Sequence, residues 1–322
     1  MKAKTVLIAG GAGFIGSHLC DHYLSKGYRV IALDNLSTGK MANISHLKDN
    51  PEFVFIYHDI VNHIKVKEDI DLIINMASPA SPPKYLSLPI PTLKAGSIGA
   101  INILDLAVRK NATIFMASTS EIYGDPLVHP QHESYYGNVN PIGERSVYDE
   151  AKRFQESITM AYYKRYDLDI RIARIFNTYG PRMDINDGRL LPNLFRQLLT
   201  DEPFTVYGSG IQTRSLIYIS DLVVAIDKLI ESGYNYPMNL GSEDELTVNQ
   251  IVENVLKISN KNNHPIIKMP LPENDPLKRR PDIGKAKTYL KWNPSVNLSD
   301  GLKSTLSYFK SELSKSSINT QK

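Results

Sequence analysis

A single cysteine, Cys20, is present in 322 residues, so no disulfide can form within the chain. That suits a reducing cytoplasm. Cys20 falls in an expected helix and reads as a packing residue. Long apolar runs are missing as well: none approaches the roughly 18 residues that a membrane span needs. Met1 leads directly into an apolar strand, which leaves no room for the apolar stretch and cleavage site of a signal peptide. Charge of one sign is not in excess. Lys and Arg number 37 against 34 Asp and Glu, a net charge of +3. So small a surplus argues against nucleic acid as the main partner. His18, Trp292 and the remaining histidines are not spaced as metal ligands, so no metal is expected. What the chain does have is 42% hydrophobic residues, enough for one large core or for two lobes sharing a cleft.

Short apolar runs alternate with longer stretches of helical period. Val6–Ala9, Val30–Leu33, Phe53–Ile56, Leu72–Ile74 and Ile114–Ala117 are apolar at successive positions, and Ile170–Phe176 is so apart from Arg171 and Arg174. That is the pattern of parallel strands covered on both faces. Regular alternation of strand and helix predicts an α/β fold with a doubly wound parallel sheet over residues 1–176. After about residue 177 prolines and glycines are denser and helices shorter. This stretch predicts a smaller, interleaved C-terminal lobe over 177–214 and 237–313, with 215–236 returning to the first lobe. Thr247 with Gln250 has the form of a capping box, opening a helix that runs to about Ser259. Residues 314–322 read as a disordered tail.

Gly10-Gly11-Ala12-Gly13-Phe14-Ile15-Gly16 follows the first strand and leads into a helix. In such a loop the glycines Gly10, Gly13 and Gly16 permit a tight turn, close approach of the backbone to a pyrophosphate, and tight helix–strand packing. The helix start, with Phe14 and Ile15, offers free N–H groups to phosphates. Asp34 ends the second strand, 18 residues after Gly16. A carboxylate there accepts hydrogen bonds from the adenosine ribose and repels a 2′-phosphate. The expected site is therefore a Rossmann-type one for NAD, not NADP. Asp59 ends the third strand within reach of an adenine, and Ser78 follows the fourth near a ribose.

Tyr148 and Lys152 stand four apart in a helical stretch whose start Ser146 and Asp149 mark. That spacing puts phenol and ammonium on one helix face. The ammonium is expected to lower the phenol pKa from about 10 toward neutrality and so make a general base. Ser118, Thr119, Ser120 and Glu121 follow the fifth strand, and strand ends of this kind face the ligand crevice of open α/β sheets.

These motifs resemble the extended short-chain dehydrogenase/reductase family, and within it the UDP-glucuronate decarboxylases. The stretches that carry the resemblance are Asp34–Gly39, Ala77–Pro83, Ser118–Glu121, Gly137–Pro141, Tyr148–Arg153, Arg174–Met183, Tyr207–Arg214 and Arg279–Ile283. The resemblance spans about residues 4–310 of the chain. It implies a UDP-sugar substrate and an NAD that is recycled within the site. Asn35, Ser37, Thr38, Gly39, Ile60 and Ala77 join the cofactor residues on this basis. Tyr148 takes the proton of the sugar 4-hydroxyl, Thr119 bonds the 4-oxygen, and Lys152 tunes Tyr148 and holds the nicotinamide ribose. Ser120 and Glu121 serve the chemistry at C5 and C6. Arg189, Arg214 and Arg279 match positions near the nucleotide or the uronate carboxylate, and arginine suits both because its planar fork binds them through two parallel bonds. Asn177 and Gln212 match polar contacts to diphosphate and ribose, Tyr207 stacks near uracil, and Tyr85 lines the sugar pocket.

Two alternatives stay open, a dTDP-glucose 4,6-dehydratase-like enzyme and a UDP-sugar 4-epimerase-like one. A dehydratase carries an aspartate where this chain has Ser120, and serine is a poor acid. A silent dinucleotide sensor would be expected to lack Tyr148, Lys152 or the hydroxyl cluster. Gly96 departs from the superfamily, which often has asparagine there. The resemblance further implies a homodimer built on helices near 90–109 and 149–166.

Overall fold

The computed structural model describes residues 3–261, 263–270 and 277–319. β1 (Thr5–Ala9), β2 (Arg29–Asp34), β3 (Phe53–Tyr57), β4 (Leu72–Asn75), β5 (Thr113–Thr119) and β6 (Ile170–Ile175) form a seven-stranded sheet with the strand Pro237–Leu240. Every pairing within it is parallel. The order runs Pro237–Leu240, β6, β5, β4, β1, β2, β3. Growth of the sheet thus reverses between β1 and β4, and in open α/β sheets a ligand crevice opens at that switch.

Both faces of the sheet are covered, which is why its strands are apolar at successive positions. Val6, Ile8 and Phe115 enter one core with Leu19 and Cys20 of α1 (Phe14–Ser25) and with the helix Ile219–Glu231. Leu7, Ile73 and Met116 enter the other with Ile103 and Leu104 of the helix Ala100–Lys110. A third core lies away from the sheet. Phe195, Val252 and Phe309 meet there from the helices Leu190–Leu199, Val248–Ser259 and Leu298–Asn319. The second of these opens on the capping box of Thr247 and Gln250 that its sequence predicts.

The threading between the cores differs from the expected one. Within 215–236, the strand Ile217–Tyr218 pairs with Thr178–Tyr179, outside the large sheet, while the helix that follows packs in the first core. The strand that returns to β6 is Pro237–Leu240. Its sequence hid it, because polar Asn239 interrupts a four-residue run. That side chain is buried and satisfied: it accepts from the Tyr123 hydroxyl at 2.8 Å and donates to the Gln131 carbonyl at 2.9 Å. Ile283, Ala286, Leu290 and Trp292 also lie in the first core, not the third. The expected disordered tail is helical as far as Asn319, and residues 320–322 lie outside the described ones. No described helix is long and apolar enough to cross a membrane.

Trp292 is 5% exposed in the first core. Trp292→Ala should cost about 3–5 kcal/mol, since it removes a large buried ring that its neighbours cannot replace. Urea unfolding should show the main transition moving as one. A shift confined to a separate minor transition would remove residues 283–292 from the first core.

Candidate active site

A cavity of 610 Å³ lies at the carboxyl ends of the sheet strands. Gly10, Gly13, Phe14, Ile15 and Gly16 form one end of its wall. Gly13 caps α1 without a side-chain hydrogen bond, and the first turn holds no acidic residue. The N–H groups of that turn, which no helix can satisfy internally, therefore remain for an anion, with the helix dipole behind them. Gly16 makes the approach possible: a Cβ there would stand 2.1 Å from the Gly10 carbonyl oxygen. This uncapped, acid-free glycine cradle fits a dinucleotide pyrophosphate.

Thr38 and Ser78 belong to the cavity wall. Asp34, Asn35, Ser37, Gly39, Asp59, Ile60 and Ala77 do not line it but gather beside the ends of β2, β3 and β4. Asp34 is buried and accepts the N–H groups of Ala12 (3.0 Å) and Leu36 (2.8 Å). Burial pushes its pKa up, and the two N–H groups oppose that. The carboxylate thus fixes the glycine loop, in addition to whatever it presents to a ribose. Asn35 donates to Asp59 at 3.0 Å, and Ser37 N–H to Asn35 at 3.0 Å. Gly39 lies against the Asp34 carboxylate, and Ile60 is a core residue packed on Gly99.

Tyr148 and Lys152 rise from the helix Ser146–Tyr166 and both line the cavity. Ser146 does not cap this helix; Arg145 occupies that position, without a side-chain bond. The Tyr148 ring stacks on Tyr85, with centroids 5.1 Å apart and planes within 4°. Lys152 Nζ stands 5.9 Å from the Tyr148 ring centre and donates to the Ala117 carbonyl (2.8 Å) and Gln155 Oε1 (3.0 Å). Burial lowers its pKa to about 8, against the opposing charge of Glu156.

The expected lowering of the phenol pKa is reversed in this arrangement. Burial raises the Tyr148 pKa first and the Glu121 charge adds to the rise, while a hydrogen bond with Thr119 and the Arg189 charge oppose them. Burial is the main reason, and the ammonium that was expected to oppose it is bonded to the strand carbonyl.

Thr119, Ser120 and Glu121 continue β5 into a short turn at the cavity wall. Thr119 Oγ1 accepts the Glu121 N–H at 3.3 Å, so it caps the turn and faces the cavity at once. Glu121 is held between two guanidinium groups. Arg279 reaches both of its oxygens, Oε2 at 3.1 Å, and Arg145 donates to Oε2 as well. Burial alone would raise the Glu121 pKa, but the Arg279 and Arg145 charges outweigh it and hold the carboxyl well below its ordinary range.

Arg145 was not among the residues expected from sequence. Its only local signal is a cation three residues before Tyr148. Gly96, the departure from the superfamily, lets the neighbouring turn press on this helix: a Cβ there would lie 2.7 Å from the Ala151 Cβ.

The cavity wall also includes Tyr85, Asn177, Arg189, Tyr207, Gln212, Arg214 and Arg279. Arg189 grips Asp187 through both Nε and Nη2. Gln212 donates to the Tyr207 carbonyl at 2.7 Å and Arg214 to the Thr213 carbonyl at 2.7 Å. The Tyr85 hydroxyl is buried and has no hydrogen-bond partner among the described residues. An orphaned donor beside the stacked Tyr148 ring fits a polar ligand.

The model of the GDP-mannose 4,6 dehydratase family matches residues 7–305. UDP-glucuronic acid decarboxylase 1 of Danio rerio is 47% identical over 310 residues, covering 96% of this chain and 73% of that protein. The solved UDP-glucose 4-epimerase of Thermotoga maritima, with UDP-glucose, superposes with a TM-score of 0.88 at 30% identity, covering 96% of this chain and 99% of that one. UDP-glucuronic acid 4-epimerase from Bacillus cereus, solved with UDP-glucuronic acid and NAD, gives 0.86 at 28% identity, covering 96% and 99%.

The Lys152 environment has a stability consequence. Its pKa in the folded protein lies below the unfolded value, so folding pays for burying the ammonium at any pH where both states are charged. That cost fades as pH rises through about 8, where the folded protein sheds the proton. Wild type should therefore gain in melting temperature on Lys152→Met between about pH 7 and about pH 10. A difference that stays constant over that range would remove the buried, depressed lysine.

Proposed function

The chain belongs to the extended short-chain dehydrogenase/reductase family, in the group of the UDP-glucuronic acid decarboxylases, and we propose that it converts UDP-glucuronate to UDP-xylose as a carboxy-lyase with tightly bound NAD. One observation carries this reading. Thr119, Glu121, Tyr148 and Lys152 face the same cavity as the glycine cradle and Arg279.

Gly10, Gly13, Phe14, Ile15 and Gly16 would hold the NAD pyrophosphate, with Asp34 on the adenosine side and Lys152 at the nicotinamide ribose. NAD, when bound, supplies a hydride acceptor and donor at the sugar's C4. Tyr148 removes the proton of the 4-hydroxyl, with Thr119 bonded to the same oxygen. The resulting 4-ketone lies β to the C6 carboxylate and serves as the electron sink as CO2 departs. Ser120 and Glu121 stand beside C5 and C6, where the enolate must regain a proton. Tyr148 then returns its proton to the 4-oxygen as the 4-hydroxyl is restored. Arg189, Arg214 and Arg279 supply cations for the diphosphate and the uronate, while Asn177, Tyr207 and Gln212 frame the nucleotide. Dehydration is disfavoured, since Ser120 has no acidic proton to give a leaving hydroxyl.

The raised Tyr148 pKa has to fall on assembly of the complex. Cationic groups brought close to the phenol stabilise its anion, and opposite charge within about 4–6 Å lowers an acid's pKa by about 1–3 units. Arg189 already acts in that direction.

A homodimer is part of the same proposal. Ile90 and Ile98 on one segment and Phe154 on the Tyr148 helix are exposed, and these segments pack against each other. Exposed apolar side chains on neighbouring helical segments suit the packing of a second copy. Cytoplasmic residence is supported by the lone, buried Cys20.

UDP-glucuronate labelled at C6 should release labelled CO2 on incubation with the protein. Retained NAD with no CO2 release would refute the decarboxylase reading. Tyr148→Phe should lose at least about a hundredfold in kcat, the usual contribution of a positioned base, while keeping its NAD. A near-normal rate would remove Tyr148 as the base. Sedimentation should give twice the monomer mass, reduced to the monomer by Ile98→Asp with Phe154→Asp; a wild-type monomer would discard the dimer.

A further inference from the structure

Arg145 has no task in the chemistry described so far, yet it connects two parts of the site. It immediately precedes the helix Ser146–Tyr166, and its carbonyl accepts the N–H groups of Tyr148 (3.0 Å) and Asp149 (3.1 Å). Its guanidinium donates to Glu121. One residue thus joins the carboxylate at the end of β5 to the turn that carries Tyr148. Arg279 approaches the same carboxylate from a different region. Its neighbour Arg280 is strapped to Gln131, whose N–H donates to the Arg280 carbonyl at 2.8 Å. The two arginines therefore differ in what anchors them: one is fixed to the turn that carries Tyr148, the other to a segment bonded to Gln131.

Two guanidinium groups share one carboxylate, with Asp149 as a further acid in their field. An anionic substrate can gain one of these cations by drawing that arginine toward itself. Arg279 is the one whose attachment leaves the Tyr148 turn undisturbed. Glu121 would then keep a partner only if the other arginine stays. A buried carboxylate stripped of its partners is strongly destabilising and takes up a proton or turns away.

Building on the decarboxylase reading, we propose that Arg145 is a positioning residue, which holds the Glu121 carboxylate beside the sugar when Arg279 turns to the substrate's anionic groups. The other charged or titratable groups that face Glu121 are Tyr85, Tyr148, Asp149 and Arg189. Of the acids, Asp149 is pushed up to about 7 by burial and then by Glu121 itself. Glu121 therefore carries the negative charge of this cluster on the acid side of neutrality, and its arginines decide how far down in pH that charge survives.

The test compares Arg145→Met and Arg145→Lys with wild type, following CO2 release between about pH 5 and about pH 9. Arg145→Met should lower kcat by about tenfold or more, while KM for UDP-glucuronate changes by less than about threefold. Its acid limb should move to higher pH, because a carboxylate with less positive charge beside it protonates more easily. Arg145→Lys should recover part of kcat and shift the limb back. NAD content and melting temperature, read on the same samples, report folding independently of turnover. An equal loss at every pH with no recovery in Arg145→Lys would reduce Arg145 to a structural role, and wild-type kinetics in Arg145→Met would end the proposal. Absence of CO2 release from wild type would instead overturn the decarboxylase reading itself.

Discussion

The hydrogen bond from Lys152 Nζ to the Ala117 carbonyl sets the geometry of the site. Ala117 lies in β5, near the middle of the large sheet, and the strand runs on from it to Thr119 and the Glu121 turn. Lys152 lies one helical turn after Tyr148. A single bond therefore fixes the distance between the hydroxyl and carboxylate cluster on the strand and the phenol on the helix. The bond lasts because the ammonium is buried, and a buried charge that loses a partner is costly. Gln155 takes a second proton of the same group. Below them, Glu156 is occupied by Arg174 through two bonds and by Ser118. Strand, helix and the next strand are thus joined by satisfied charges, and position at the site follows from stability in the core.

The same burial gives each group its protonation behaviour. Lys152 and Tyr148 are both shifted toward their neutral forms, because low polarity penalises any charge. Glu121 is shifted the other way by its two arginines. Groups whose charged forms are disfavoured therefore stand next to a fixed carboxylate. Acid and base roles separate in this manner when environments push pKa values apart.

How much of this was legible in the sequence depended on how local each feature is. The glycine loop, β1 to β6 and the helical spacing of Tyr148 and Lys152 are encoded within short windows, and these elements form where those windows put them. Asp34 was legible as a residue, but its bonds to the Ala12 and Leu36 N–H groups follow from backbone direction, which a one-letter string does not carry. The Glu121–Arg279 pair joins residues 158 apart and needed the fold. Arg145 sat in plain view, but a cation ahead of a helix is ordinary until a buried carboxylate is seen facing it. The direction of the Tyr148 shift is not legible in the sequence, because spacing fixes which groups share a face, whereas burial and the nearby Glu121 charge decide the field at the phenol.

The two ends of the cavity are built from different materials, and this bears on what stays and what leaves. At the glycine-loop end the groups are backbone N–H groups of a helix start, locked by glycine packing and by Asp34. These donors have no alternative partner among the described residues, so a bound anion competes with nothing but water. At the other end the groups are side chains already engaged nearby: Arg189 with Asp187, Gln212 with the Tyr207 carbonyl, Arg214 with the Thr213 carbonyl. A ligand there must replace an existing hydrogen bond, and its departure restores one. The net gain per contact is correspondingly smaller, since hydrogen bonds are exchanged on binding and not simply formed. Such an asymmetry favours a dinucleotide that remains through many turnovers and a nucleotide sugar that comes and goes with each one.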